Sequence, residues 1–204
     1  KLTLVFYDHR GEPDRGADLA KKAILDDKVA GLMGAYQSSV TKTVSAVAER
    51  YGVPMINDSS TSPDLTRRGL KWFWRTTPHD DYFNQDLFEF LKGLTTGKAK
   101  GVKAVPKKQV EKIAYACENT EWGAGVAKSL DAYAKAYGFT ITKGILYNSN
   151  SPDLTSEARA LVSAKPDVML FAAYLSDSLL WVRTLKGMKA QANVFWGQNA
   201  GFEM

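Results

Sequence analysis

Apolar positions along this chain fall into short continuous runs that alternate with stretches of helical spacing. Residues 2–7 are apolar on both faces apart from Thr3, and predict a strand. Beyond Pro13, the residues Ala17, Ala20, Ala23 and Ile24 recur at helical spacing, and residues 29–33 form a second short apolar run. Val40, Val44, Val47, Ala48 and Tyr51 then mark an amphipathic helix. Gly52 stands where a helix ends on a left-handed cap, and residues 53–56 predict the next strand.

The second half repeats the scheme. Residues 72–75 read as a strand, and Pro78 breaks the chain before a helical stripe of Phe83, Leu87, Phe90, Leu91 and Leu94. A strand at 113–117 leads to a helix carrying Val126, Leu130, Tyr133, Ala134 and Tyr137, closed by Gly138. Strands at 139–146, 168–172 and 194–196 are separated by a short helix around Ala158, Leu161 and Val162 and by another over 179–188. Strands that are apolar on both faces and separated by helices predict parallel sheets under helical cover, an α/β fold. The polar break at Arg75-Thr76-Thr77-Pro78 suits a hinge, dividing the chain into residues 1–77 and 78–204.

Composition narrows the function classes. Of 204 residues, 45% are hydrophobic and 24% charged, which excludes wholesale disorder. No apolar run approaches the ~20 residues of a membrane helix. The opening KLTLVFYDHR has no cleavable leader pattern, as expected of a cytoplasmic protein or of a trimmed mature chain. The net charge of +5 is local. Lys98, Lys100, Lys103, Lys107, Lys108 and Lys112 crowd one stretch with only Glu111 against them, and the remainder is balanced. With no aromatic interleaved for base stacking, this stretch reads as a solvated loop rather than as a nucleic-acid or membrane contact.

Catalytic signatures are missing. His9 and His79 lie far apart, and the lone Cys117 ends an apolar strand as a buried structural thiol, so no metal site is expected. Neither a phosphate loop nor a nucleophile elbow occurs. Gly123-Ala124-Gly125 lacks the third glycine of a dinucleotide fingerprint, so no cofactor is expected. The pairs Asp26-Asp27 and Asp80-Asp81 suit helix ends better than an acid/base dyad. The pattern is that of a non-enzyme.

Hydroxyl groups concentrate just after strands, in Gln37-Ser38-Ser39-Val40-Thr41 and in Ser59-Ser60-Thr61-Ser62. Loops at the carboxyl edge of a parallel sheet are where ligands bind, and hydroxyls beside a helix N-terminus suit an anionic oxygen. Helix capping is the other use of the same residues, and the pattern leaves both open.

The run Gly34-Ala35-Tyr36-Gln37-Ser38-Ser39-Val40-Thr41, followed by Ala48-Glu49-Arg50-Tyr51-Gly52-Val53-Pro54-Met55-Ile56, by Ser60-Thr61-Ser62-Pro63-Asp64-Leu65-Thr66-Arg67-Arg68-Gly69 and by Arg75-Thr76-Thr77-Pro78, closely resembles the branched-chain-amino-acid (Leu/Ile/Val-binding) type of periplasmic substrate-binding protein of ABC importers. Leu4-Val5-Phe6-Tyr7-Asp8, Lys165-Pro166-Asp167-Val168 and Ala172-Ala173-Tyr174 extend the likeness over the whole chain. The resemblance implies a type I periplasmic-binding fold: two hinged Rossmann-like lobes, parallel sheets with helices on both faces, and a ligand held between them. It implies a monomeric, periplasmic solute receptor that captures a small carboxylate and delivers it to an inner-membrane permease. The competing class is a sensing receptor on the same fold. Against that family the chain lacks a first strand and helix and a C-terminal continuation.

By the same resemblance Ser38 takes the ligand carboxylate, Ser59 makes a main-chain contact and Thr61 supplies a second hydroxyl. Trp122 and Tyr174 flank the ligand. Where amino-acid binders place an acid to pair with the ligand ammonium, this chain has Asn199. A neutral amide cannot compensate a buried cation, so Asn199 favours an aromatic or aliphatic acid over an α-amino acid, with Asp80 or Asp81 as alternative carboxylates.

Overall fold

The computed structural model describes residues 2–198 and 200–202. The chain divides into two compact units, Lys1–Asp80 and Asp81–Met204. The first contains α1 (Pro13–Leu25), β1 (Leu32–Met33), α2 (Ser38–Tyr51), β2 (Met55–Asn57), α3 (Asp64–Arg67) and β3 (Phe73–Arg75). The second follows α4 (Asp80–Thr96) with β4 (Lys112–Glu118), α5 (Glu121–Tyr137), β5 (Thr140–Tyr147), α6 (Thr155–Ser163), β6 (Val168–Ala172), α7 (Leu175–Gly187) and β7 (Val194–Gly197).

In the first unit the strands form a parallel sheet in the order β1-β2-β3, with Leu32 opposite Met55 and Met55 opposite Phe73. Strand alternation sorts these residues. Met55 and Phe73 turn inward to join Ala48 of α2 and Leu65 of α3 in a small core, with Leu32 packed against it. Their neighbours Met33, Ile56 and Trp74 lie in one row on the opposite face and are exposed. Glu49 on α2 accepts the backbone N–H groups of Lys71 and Trp72, both at 2.9 Å, and so fixes the chain entering β3. As expected, Gly52 closes α2 in the left-handed region, with φ of 66° and ψ of 31°.

The expected strand at residues 2–7 is not formed. Leu2, Leu4 and Phe6 are 85%, 62% and 84% exposed. A strand exists through its hydrogen-bonded neighbour, and among the described residues β1 pairs only with β2. Apolar content without a ladder leaves this segment outside the sheet.

The second unit has a parallel sheet ordered β5-β4-β6-β7, and its central strands are buried on both faces. Ile113, Tyr115, Cys117, Leu170 and Ala172 point to one side, where Leu87, Phe88 and Leu91 of α4 and Val126 and Leu130 of α5 cover them. Ala114, Ala116, Met169 and Phe171 point to the other, under Ala158 and Leu161 of α6 and Trp181 and Leu185 of α7. Cys117 is wholly buried. The lysine-rich stretch is an exposed loop with one short 3-10 turn at Lys107–Gln109, and Lys107 pairs with Glu111 at 3.7 Å. No helix is long and apolar enough to cross a membrane among the described residues.

Candidate functional site

In the first unit, the loops leaving the carboxyl ends of β1 and β2 meet. The Thr41 and Ser60 hydroxyls lie 2.6 Å apart, and both donate to the carbonyl of Ala35, at 3.0 and 2.8 Å. Asn57 Nδ2 donates to the carbonyls of Ala35 and Gly34 at 2.8 and 3.1 Å, while its Oδ1 accepts the Ser60 N–H at 2.9 Å. All three side chains are buried. They are struts: their polar atoms hold the 34–36 backbone in place and are occupied in doing so.

Ser38 is placed differently. It is the first residue of α2, 1% exposed, and its hydroxyl accepts a 3.3 Å hydrogen bond from the Ser62 N–H, which brings it beside Thr61 in the second loop. The N-cap of α2 is Gln37, with no side-chain cap, so the hydroxyls here are not spent on capping this helix. The N–H groups of Ser38, Ser39 and Val40 precede the first helical bond, from Thr41 N–H to the Gln37 carbonyl at 2.9 Å. No acidic residue lies in that first turn. Thr61 is buried, its carbonyl accepts the Asp80 N–H at 3.0 Å, and its hydroxyl makes no hydrogen bond to the described residues. Ser59 is only partly buried and its hydroxyl donates to Asp58 at 3.3 Å.

Arg75 braces the second loop. Its Nη1 donates to the carbonyls of Ser62 and Ser60 at 2.7 and 3.4 Å, and its Nη2 to the Thr66 hydroxyl at 3.2 Å. Burial pulls its pKa down, against the opposing effect of Asp80, and it stays charged at any physiological pH. Oriented N–H groups, free hydroxyl capacity and a nearby guanidinium make a positive, preformed corner that suits a carboxylate.

In the second unit Trp122 and Tyr174 come together, with ring centroids 4.9 Å apart and planes inclined by 45°. Trp122 is the second residue of α5 and is buried, whereas Tyr174 is the N-cap of α7 and half-buried. Behind Trp122, Glu118 at the end of β4 accepts the Thr120 hydroxyl and the Gly123 N–H through Oε1, both at 2.7 Å. Gly123 lies so close to Glu118 that a Cβ there would overlap the Glu118 carbonyl oxygen and come within 2.8 Å of its nitrogen. Behind Tyr174, Asp177 accepts the Asn150 N–H at 3.0 Å. Gln198 is buried, and Asn199 lies outside the described residues. Among the described residues no group of three or more His, Cys, Asp or Glu side chains could hold a metal ion.

Residue type alone did not reveal the roles of Asn57, Thr41, Ser60, Arg75, Glu118 and Asp177. Glu118 carried one signal, an acid ending an otherwise apolar strand. The struts carried none that separates them from Ser38 or Thr61.

Comparison with known proteins fits this architecture. A Leu/Ile/Val-binding protein homolog 7 of Brucella suis biovar 1 (strain 1330) is 28% identical over 186 residues, covering 91% of this chain and 45% of its own length. The chain thus spans less than half of that relative. A leucine-binding protein of Thermotoga maritima MSB8 superposes with a TM-score of 0.83 at 20% identity, over 98% of this chain and 56% of that one. A solute-binding protein of an ABC transporter from Rhodopseudomonas palustris BisB5, solved with 3,4-dihydroxybenzoic acid, superposes at 0.80 with 18% identity, over 97% and 51%. These two structures share the fold. The family model for periplasmic binding proteins matches residues 1–201, and the chain belongs to that family of binding proteins, which are not enzymes.

Proposed function

We propose that this chain captures a small carboxylic acid as the extracytoplasmic receptor of an ABC importer, with the acid group held at the start of α2. The observation that supports this most directly is the state of Ser38: buried at the first helical position, not used as a cap, beside the helix's first N–H groups and bonded to the Ser62 N–H in the loop that Arg75 braces. Thr61 supplies the second hydroxyl, Ser59 a main-chain contact, and Trp122 and Tyr174 the flat apolar surface for the ligand's body. Asn199 selects an acid without an ammonium group, because an amide offers hydrogen bonds but no charge. Acids of this kind accompany related folds: one Rhodopseudomonas palustris protein was solved with 4-hydroxybenzoate, although a Desulfitobacterium hafniense protein was solved with Leu. A permease partner and a monomeric state complete the reading.

A calorimetric comparison of benzoate-type acids, aliphatic acids and branched-chain amino acids tests it. Binding of at least one plain acid is expected. If no carboxylate of any class binds, the reading fails.

A further inference from the structure

The fold gathers lysines at one edge of the second unit. Because β4, β5, β6 and β7 run parallel, the segments that enter them all lie at the amino edge of one sheet. There Lys165, before β6, and Lys189, before β7, join the six lysines of residues 98–112. All eight are exposed, and the only acids in these entering segments are Glu111 and Asp167. Residues 119–120, 148–154 and 173–174, which leave β4, β5 and β6 at the opposite edge, contain no lysine or arginine. The lysine-rich stretch is also pinned across its edge rather than hanging from it. Val105 N–H donates to the Leu94 carbonyl at 3.1 Å, and Thr140 N–H, at the start of β5, to the Glu111 carbonyl at 3.0 Å. Asn193 Nδ2, before β7, donates to the Gln109 carbonyl at 2.7 Å. Both acids are engaged, Glu111 with Lys107 at 3.7 Å and Asp167 with the Lys112 N–H at 2.8 Å. The side chains of Lys98, Lys100, Lys103, Lys108, Lys165 and Lys189 make no ion pair or hydrogen bond to the described residues.

We infer that this amino edge is a polybasic surface that docks the chain peripherally on a bilayer containing anionic phospholipid. Read along the chain, residues 98–112 are a solvated loop; the fold adds Lys165 and Lys189 to them and makes a face. Lysines in the last turns of α5 and α7, Lys135 and Lys186, complement the helix dipoles, but Lys103 and Lys108 stand well beyond the end of α4. The entering segments contain no arginine, so they lack the planar fork that matches the fixed carboxylates of a folded partner. Lysine ammoniums are point charges, suited to headgroup phosphates that rearrange beneath them. Their one aromatic, Phe139, is buried, which leaves no platform for stacking bases. Between the lysines Val102 is 49% exposed, and Ala104 and Pro106 are exposed too, small apolar groups that can settle among headgroups. Choosing a bilayer over nucleic acid rests on the extracytoplasmic setting of the proposed function; the basic face does not depend on the carboxylate contacts.

The test is co-sedimentation of the whole chain with phosphatidylcholine vesicles, with and without about one-third phosphatidylglycerol. Binding is expected to the anionic vesicles alone, and release at ~1 M salt, where the screening length falls to ~3 Å. Each lysine near an anionic surface is worth roughly fivefold in partitioning. The triple variant Lys100→Gln, Lys103→Gln, Lys108→Gln is therefore expected to bind roughly a hundredfold more weakly. A second triple variant with the same net charge, Lys28→Gln, Lys71→Gln, Lys143→Gln, removes exposed lysines from elsewhere and is expected to bind like the native chain. Equal weakening of both would reduce the effect to net charge and overturn the inference. So would a native chain with no preference for the anionic vesicles, a result that needs no variant to fold. Tighter binding of a short DNA duplex than of the anionic vesicles at the same salt would reassign the edge to nucleic acid and overturn it as well. If the vesicles bind as expected while calorimetry finds no acid bound, the functional reading fails and the basic docking surface stands; acid binding without vesicle binding gives the reverse.

Discussion

Ser38, the first residue of α2, and Asn57, the last of β2, are both buried, but their hydrogen bonds give them different expected phenotypes. Ser38 contributes one long bond, 3.3 Å from the Ser62 N–H, to the fold. Ser38→Ala should cost little stability, yet leave a charge-assisted bond to the ligand unmade, worth about 1.5–3 kcal/mol or roughly ten- to a hundredfold in affinity. Calorimetry with the best-binding acid checks this; unchanged affinity would remove Ser38 from the site. Gly123 makes the complementary case in the second unit. Alanine there gains about 1 kcal/mol in helix propensity, but its methyl would overlap the Glu118 carbonyl, which is backbone and cannot turn aside. Overpacking of this kind costs about 1–3 kcal/mol, so Gly123→Ala should be destabilised, with a lower urea midpoint. A higher midpoint would show that α5 can slide away from β4.

The loop that leads to Ser38 holds its shape through contacts between elements rather than through local propensity. Asn57, at the end of β2, bonds the carbonyls of Gly34 and Ala35 and accepts the Ser60 N–H, sharing the Ala35 carbonyl with the Thr41 and Ser60 hydroxyls. Asn57→Ala would orphan the buried Ser60 N–H and weaken the hold on residues 34–36, at about 2–3 kcal/mol, and it should reduce ligand affinity as well. Urea unfolding paired with calorimetry separates the two effects. This is also where reading the sequence stopped. Runs apolar on both faces located β4 and β6 well, because a buried parallel strand has no polar side to disguise it. Helical stripes located α2, α4 and α5, and Tyr-Gly pairs marked the ends of α2 and α5. The run at residues 2–7 misled, since apolar content reports a preference for burial and not the presence of a pairing neighbour. The four residues of α3 are too few to display a period. At the site, Ser, Thr and Asn look alike along the chain whether they brace a carbonyl or await a ligand. That distinction is set by which backbone lies opposite, and only the folded chain supplies it.

At the scale of the whole molecule, the proposed function makes ligand class depend on both ends of the ligand at once. On the proposed reading, the corner at Ser38, Thr61 and Arg75 would take the carboxylate common to plain acids and amino acids, and so would not discriminate between them. Discrimination falls to the residue that meets the ligand's other end, for which we propose Asn199. An ammonium group facing an amide would lose its hydration without gaining a counter-charge. A ring bearing a hydroxyl would lose little, because an amide both donates and accepts hydrogen bonds. In a thermal-shift screen, a ligand that binds only the native state adds about 2.7 kcal/mol of stability at a hundredfold excess over its Kd. Shifts of several degrees with hydroxybenzoate-type or aliphatic acids, and small ones with leucine or valine, are therefore expected of the native chain. Asn199→Asp should invert the order, weakening plain acids by repulsion and admitting amino acids by pairing with their ammonium group. Strong stabilisation of the unmodified chain by leucine, unaffected by Asn199→Asp, would mean that another group holds the ammonium, and Asp80 and Asp81 would be the first carboxylates to replace.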